Sequence, residues 1–168
     1  MSQEKRHPNI VNVQQLEPTT QTHDPRYALH RKQLGAAAHG KKLGCSWIEL
    51  PPGKRSWPMH AHLINEEAIF ILEGEGTLRL GAEQHAVKPG DYISFRSDKE
   101  GAHQMINTSA APLRYLCIST MEPNEIVVYT DTNKVFVCAG SAPGGSKEQR
   151  LLTHVFRAKD EVDYWEDE

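Results

Sequence analysis

In the stretch PPGKRSWPMHAHLINEEAIFILEG, residues 51–74, two histidines stand one residue apart, His60 and His62. Side chains on an extended strand repeat every second residue, so on a strand both imidazoles leave from one side and can chelate a single ion. Glu67 follows, heading the apolar run Ala68–Leu72, and can bring a carboxylate of compatible hardness from a neighbouring strand. His103 comes after the turn-rich stretch Ser97–Ala102 and opens another segment of strand composition. Three imidazoles and one carboxylate suit one divalent metal ion, Fe, Mn, Ni, Zn or Cu, and the donor set does not choose among them. If the ion is six-coordinate, four protein ligands leave two positions open, enough to bind a substrate through two oxygens or to admit oxygen beside it.

The elements that must position these residues are short. From about Leu43 to Cys138 the chain breaks into segments of β-type composition ended by Gly, Pro, Asn or Asp, as in an all-β sandwich or barrel. They are Cys45–Leu50, Glu67–Glu73, Thr77–Leu80, His85–Lys88, Tyr92–Arg96, His103–Asn107, Leu113–Thr120, Ile126–Thr130 and Val135–Cys138. Alternation puts Leu78 and Leu80 on one face and Thr77 and Arg79 on the other. By the same rule Met105 and Asn107 share the His103 face, and Gln104 points outward. Gly74-Glu75-Gly76 reads as a hairpin turn, since no helix follows to make it part of a dinucleotide fingerprint. Pro25–Leu34 reads as a helical turn or two.

Gly53, His60, His62, Glu67 and Gly74, followed by Gly90, Asp91, His103 and Asn107 with Pro89 before the turn, resemble the two motifs of the cupins in order. The resemblance covers roughly the middle half of the chain. It implies an all-β cupin double-stranded β-helix, a jelly-roll barrel, over residues 43–138. Residues 1–42 are then an N-terminal extension packing on the barrel and residues 139–168 a C-terminal extension. It also implies His60, His62, Glu67 and His103 as metal ligands. Glu66 competes with Glu67, which is preferred because it keeps the family's interval to Gly74, whereas Glu66 would point away on the strand. Gly53 lies one residue further from His60 than the family pattern has it. Arg96 replaces the usual proline, and Ser97–Ala102 is a longer approach to the histidine; all three affect the rim of the pocket. The resemblance further implies a homodimer, for which Ile126–Thr130 and Val135–Cys138 would offer edges.

Bulk properties bound the rest. The chain has 168 residues, enough for one domain, with 38% hydrophobic and 24% charged residues. A formal charge of -3 and basic pairs as short as Lys5-Arg6, Arg31-Lys32 and Lys41-Lys42 argue against nucleic acid or an anionic membrane as partner. The N-terminus lacks an apolar signal core, which points to a cytoplasmic location. Cys45, Cys117 and Cys138 make no paired motif and read as reduced packing residues. The residues before about Tyr27 and the stretch Ala139–Lys147 are expected to be loosely held, and Tyr164-Trp165 to dock on the barrel or on a partner subunit.

Trp47, Trp57, Arg79, Tyr92 and Met105 are candidates for lining a substrate pocket. No catalytic residue is assigned, although Glu49, Tyr92 and Tyr115 are candidates for an acid or base near the ion. The expected function is that of a metal-dependent enzyme, dioxygenase or isomerase, acting on a small oxygen-rich metabolite. The alternative is a non-catalytic cupin that binds or senses a sugar or organic acid.

Overall fold

The structure is a computed structural model and describes residues 6–167; residues 1–5, Lys5 of the first basic pair among them, and Glu168 lie outside the described residues. In chain order the strands begin with β1 (Thr19–His23) and β2 (Tyr27–Gln33), followed by the one-turn helix α1 (Leu34–Ala37). β3 (Leu43–Leu50), β4 (Ala61–His62), β5 (Glu67–Glu73), β6 (Gly76–Leu80) and β7 (Glu83–Val87) come next. β8 (Tyr92–Phe95), β9 (His103–Ile106), β10 (Leu113–Thr120), β11 (Glu125–Tyr129), β12 (Lys134–Ala139) and β13 (Leu152–Arg157) complete the set.

These strands form the expected jelly roll. One face is a sheet in the order β1-β2-β3-β10-β5-β8. The other consists of β7-β6-β9 and β13-β12-β11-β4, joined through an antiparallel bridge in which His60 and His103 exchange backbone hydrogen bonds of 3.2 and 2.8 Å. The core lies between the two faces. Leu29, Ile48, Leu50, Ile69, Ile71, Leu113 and Tyr115 come from the first, and Leu78, Val87 and Met105 from the second. Each such side chain contributes about 1.5–3 kcal/mol by leaving water, so strand parity decides which residues remain for the site.

Several expectations change. Pro25–Leu34 is mostly strand, because β2 finds the exposed edge of β3 and pairs His30 with Glu49 through Gln33 with Ser46. Within the segment before Tyr27, Thr19–His23 is held in turn, since β1 pairs with β2 along its whole length. Gly74-Glu75-Gly76 is not a hairpin: β5 and β6 belong to opposite faces, and the turn carries the chain across the barrel end. Gly74 sits there at φ +81°, where a Cβ would collide with the Pro112 carbonyl oxygen. Gln104 is buried rather than outward, because the residue 56–57 segment covers that side of β9 and Gln104 donates to Trp57 O at 2.7 Å.

The C-terminal part departs most. β13 covers the edge of β12, and β11 lies between β12 and β4, so neither expected dimer edge is free. Residues 139–147 are tied in: Ser141 and Ala142 are buried, and Gln33 donates to Gly144 O at 2.8 Å. Tyr164 and Trp165 pack edge-on against each other but not on the barrel, remaining 84% and 72% exposed. Among the described residues no helix is long and apolar enough to cross a membrane.

Candidate metal centre

His60 precedes β4, His62 lies within it, Glu67 opens β5 and His103 opens β9. Between the two motif histidines Ala61 is fully buried on the opposite side, so both imidazoles face inward. Ring centroids are 5.1 Å apart for His60 and His62 and 4.7 Å for His60 and His103. The Glu67 carboxylate reaches His103 Nε2 at 3.1 Å and His62 Nε2 at 3.6 Å. Glu66 is exposed, as the alternation along the strand requires.

Each imidazole is held from behind by its other nitrogen. His60 Nδ1 lies 2.8 Å from Pro58 O, His103 Nδ1 2.9 Å from Gly101 O and His62 Nδ1 3.1 Å from Glu125 Oε2. A carbonyl only accepts, so Nδ1 of His60 and His103 must donate, which turns Nε2 inward. His103 is also stacked on Phe95, with centroids 3.7 Å apart and planes 9° from parallel.

The electrostatics follow from burial. Burial opposes the charged form of Glu67, but the His103 hydrogen bond and the neighbouring histidines outweigh it and draw the carboxyl down to about 2. Burial, then the proximity of His103 and His62, lowers His60 to about 3, so it is neutral and its lone pair is available. Glu125 is burdened by burial as well, yet hydrogen bonds from His62 and Asn65 hold it below the ordinary carboxylate range.

As they stand, these side chains are drawn into hydrogen bonds with one another, and among the described residues no group of three or more His, Cys, Asp or Glu is set around a common centre. The donor chemistry nevertheless fits a divalent ion. With Nδ1 of His103 engaged by Gly101, its Nε2 contact with Glu67 requires a further proton, at a position where a Lewis acid would take up the same lone pairs.

The cluster opens into a cavity of ≈ 780 Å³ whose wall includes His60, His62 and Glu67. Of the five pocket candidates only Trp57 lines it. Trp47 and Tyr92 fall on the outer sheet face, in one cross-strand row with Leu116 and Phe70. Met105 is spent in the core, and Arg79 is occupied by Asp131 at 2.9 and 3.1 Å. The acid–base candidates also lie elsewhere. Glu49 pairs with Arg114 at 2.7 Å, Tyr92 is exposed, and the Tyr115 hydroxyl is buried without a partner among the described residues.

Sequence reasoning missed Glu125, Tyr129, Arg31 and the wall formed by residues 140–150. Glu125 is 1% exposed and, besides His62, accepts from the Ile64, Asn65 and Ile126 amides and from Asn65 Nδ2. Its signal was an acid heading the apolar run Ile126–Tyr129. Tyr129 lies in the cavity wall beside His60, with ring centroids 6.3 Å apart.

Residues 46–119 match the family model described as Cupin domain. Over 111 residues, 61% of this chain, the sequence is 34% identical to Auxin-binding protein 1 of Arabidopsis thaliana, covering 54% of that protein. It is 25% identical over 126 residues, 73% of this chain, to Quercetin 2,3-dioxygenase of Bacillus subtilis, covering 36% of that enzyme. The chain thus spans about half the length, or less, of these two curated relatives. A crystal structure from Acidithiobacillus ferrooxidans, of a protein provisionally named a sugar phosphate isomerase, superposes with a TM-score of 0.78 at 24% identity. That match covers 93% of this chain and 96% of the other and establishes likeness of fold. With the jelly-roll topology around it, the segment from β3 to β10 is a cupin domain.

Proposed function

We propose that the protein is a metal-dependent enzyme of dioxygenase or isomerase type, acting on a small oxygen-rich metabolite, with one divalent ion held by His60, His62, Glu67 and His103. The observation that carries this reading is the backing of all three imidazoles at Nδ1, by Pro58 O, Glu125 and Gly101 O, which frees each Nε2, with those of His103 and His62 lying 3.1 and 3.6 Å from the Glu67 carboxylate. Outer partners of this kind fix ring orientation and raise ligand basicity. When bound, the ion supplies Lewis acidity and, for Fe, Mn or Cu, redox chemistry.

The remaining work falls to the chain's own groups. Glu125 anchors His62 and ties it to Asn65, which accepts from the Glu122 amide at 2.7 Å. Burial raises the Tyr129 phenol above its ordinary value, so it keeps its proton at neutral pH and can donate it to a substrate oxygen. Residues from 140 to 150 supply much of the cavity wall that a substrate would meet. The likeness to a quercetin dioxygenase supports the catalytic reading.

A second reading, a non-catalytic small-molecule binding or sensor cupin, is favoured by the likeness to a protein named for binding auxin. It is favoured too by the wall itself, in which Glu67 is the only carboxylate among the described residues. In either reading the working form is taken to be a homodimer, with the exposed edge strand β13 as the surface that supports it.

The test is elemental mass spectrometry of protein purified without chelator or nickel affinity, beside a His60→Ala/His103→Ala variant. About one ion per chain, lost in the variant, is expected. Iron, manganese or copper directs assays to oxygen chemistry, and zinc or nickel to isomerisation or binding. A wild type that stays metal-free after reconstitution with each of the five metals overturns the proposal.

A further inference from the structure

The wall of the cavity has an unbalanced charge. Among the described residues it carries the cations Arg31, Lys41, Lys147 and Arg150 against the single carboxylate of Glu67, and Glu67 is already engaged by His103 and His62. None of the four cations has a carboxylate partner among the described residues. In a chain whose formal charge is -3 this is a local concentration, not a general excess.

The four differ in kind. Lys41 and Lys147 are exposed at the rim. Arg150 is a strap, donating through Nη2 to Pro143 O at 2.8 Å and Ala142 O at 3.3 Å. Arg31 is half-buried, and its one side-chain hydrogen bond among the described residues runs from Nε to Ser46 Oγ at 3.0 Å. Its Nη2 lies against Gly144, where a Cβ would come within 3.2 Å. Burial pulls the guanidinium below its ordinary value, but it stays protonated. Both Nη groups are therefore without hydrogen-bond partners among the described residues, in a partly desolvated wall. An unpaired charge there is costly unless a counter-charge arrives, and a planar fork of donors matches two oxygens of one oxyanion.

Resting on the reading of this cavity as the substrate site, we propose that its ligand is a small oxyanion, a metabolite bearing a phosphate or carboxylate, with Arg31 as the anion anchor and Lys41 and Lys147 at the rim. The Arg31 edge holds the anionic group, and the rest of the ligand extends toward the histidine cluster that lines the same cavity.

The experiment is isothermal titration with three probes on one carbon skeleton, glycerol 3-phosphate, D-glycerate and glycerol. It uses protein as purified and protein treated with chelator, so that chelation of an ion by glycerate is separated from capture by Arg31. Both anions are expected to bind, glycerol is not, and the tighter anion identifies the phosphate or carboxylate source. Arg31→Gln is expected to weaken anion binding about tenfold or more while metal content stays at the wild-type level. Should that variant fail to fold, Lys41→Ala/Lys147→Ala, altered only at exposed positions, is expected to weaken binding severalfold and to flatten its salt dependence. Equal binding of glycerol and the anions overturns the inference. So does unchanged anion affinity in the folded variants, or a folded wild type that binds neither anion. Failure of the metal reading shows separately, as a metal-free wild type, and anion binding by that protein still decides this inference.

Discussion

Glu125 tests the centre from outside the ligand set. It is fully buried, accepts five hydrogen bonds from four residues and holds His62 at Nδ1. Glu125→Gln keeps the shape, but one face of the amide then presents donors to donors. The variant is expected to release metal about 10–100-fold more readily and to lose about 2–3 kcal/mol of stability. Chelator competition followed by elemental analysis, together with a denaturant melt, checks both; wild-type retention would mean that Glu125 is structural only. Asn107 is the contrasting case. Its amide donates to Leu50 O and Ala111 O, each at 2.8 Å, and its oxygen accepts from Ser109, all away from the cavity. Asn107→Ala is expected to cost about 2–4 kcal/mol without changing metal content per folded chain, by the same two measurements.

At the scale of elements, the long approach to His103 is a built structure. Asp98 accepts from the Glu100 and Gly101 amides at 2.9 and 3.1 Å and starts a 3-10 turn over Lys99–Gly101. That turn delivers the Gly101 carbonyl to His103 Nδ1. A Cβ on Gly101 would collide with the Arg96 carbonyl oxygen. Gly101→Ala is therefore expected to move the turn, with a loss of about 1–3 kcal/mol and reduced metal occupancy, read by thermal melt and elemental analysis. A neutral result would show that the turn yields without disturbing His103. The Arg96 that stands where the family has proline belongs to the same loop, pairing with Asp98 at 2.9 Å and Glu100 at 3.2 Å.

For the whole molecule, the question is what the outer surfaces meet. β13 is an edge strand exposed at every residue, with Val155 56% and Phe156 44% exposed, and its unpaired backbone offers a template for a second strand. The homodimer proposed above is expected to join there, so Val155→Glu/Phe156→Glu should shift the mass measured by light scattering from two chains to one while preserving the circular dichroism. A wild type that is monomeric at micromolar concentration removes the dimer. A dimer that survives the substitutions moves it to another face, such as the apolar row Trp47, Leu116, Phe70 and Tyr92.

Much of the fold was legible because period-two patterning and turn residues are local signals. β5 and β10 match their predicted ranges residue for residue, and the other predicted strands differ at their ends. The side-by-side placement of His60, His62, Glu67 and His103 was legible through a spacing that resembles a family, and Glu67 over Glu66 through the interval to Gly74, with strand parity turning Glu66 away. The sequence could not tell which polar side chains lie inward on strands whose two faces are both covered, as with Gln104. Nor could it assign a side to Trp47, Tyr92 or Arg79 before the sheet order was known. β2 and β13 were missed because each is strand by virtue of an edge it completes, β3 and β12 in turn. Only the tertiary structure brought Glu125 beneath His62, 63 residues away in sequence. It also set Arg31 and residues 140–150 around the same cavity, through contacts between distant segments that leave no local pattern to read.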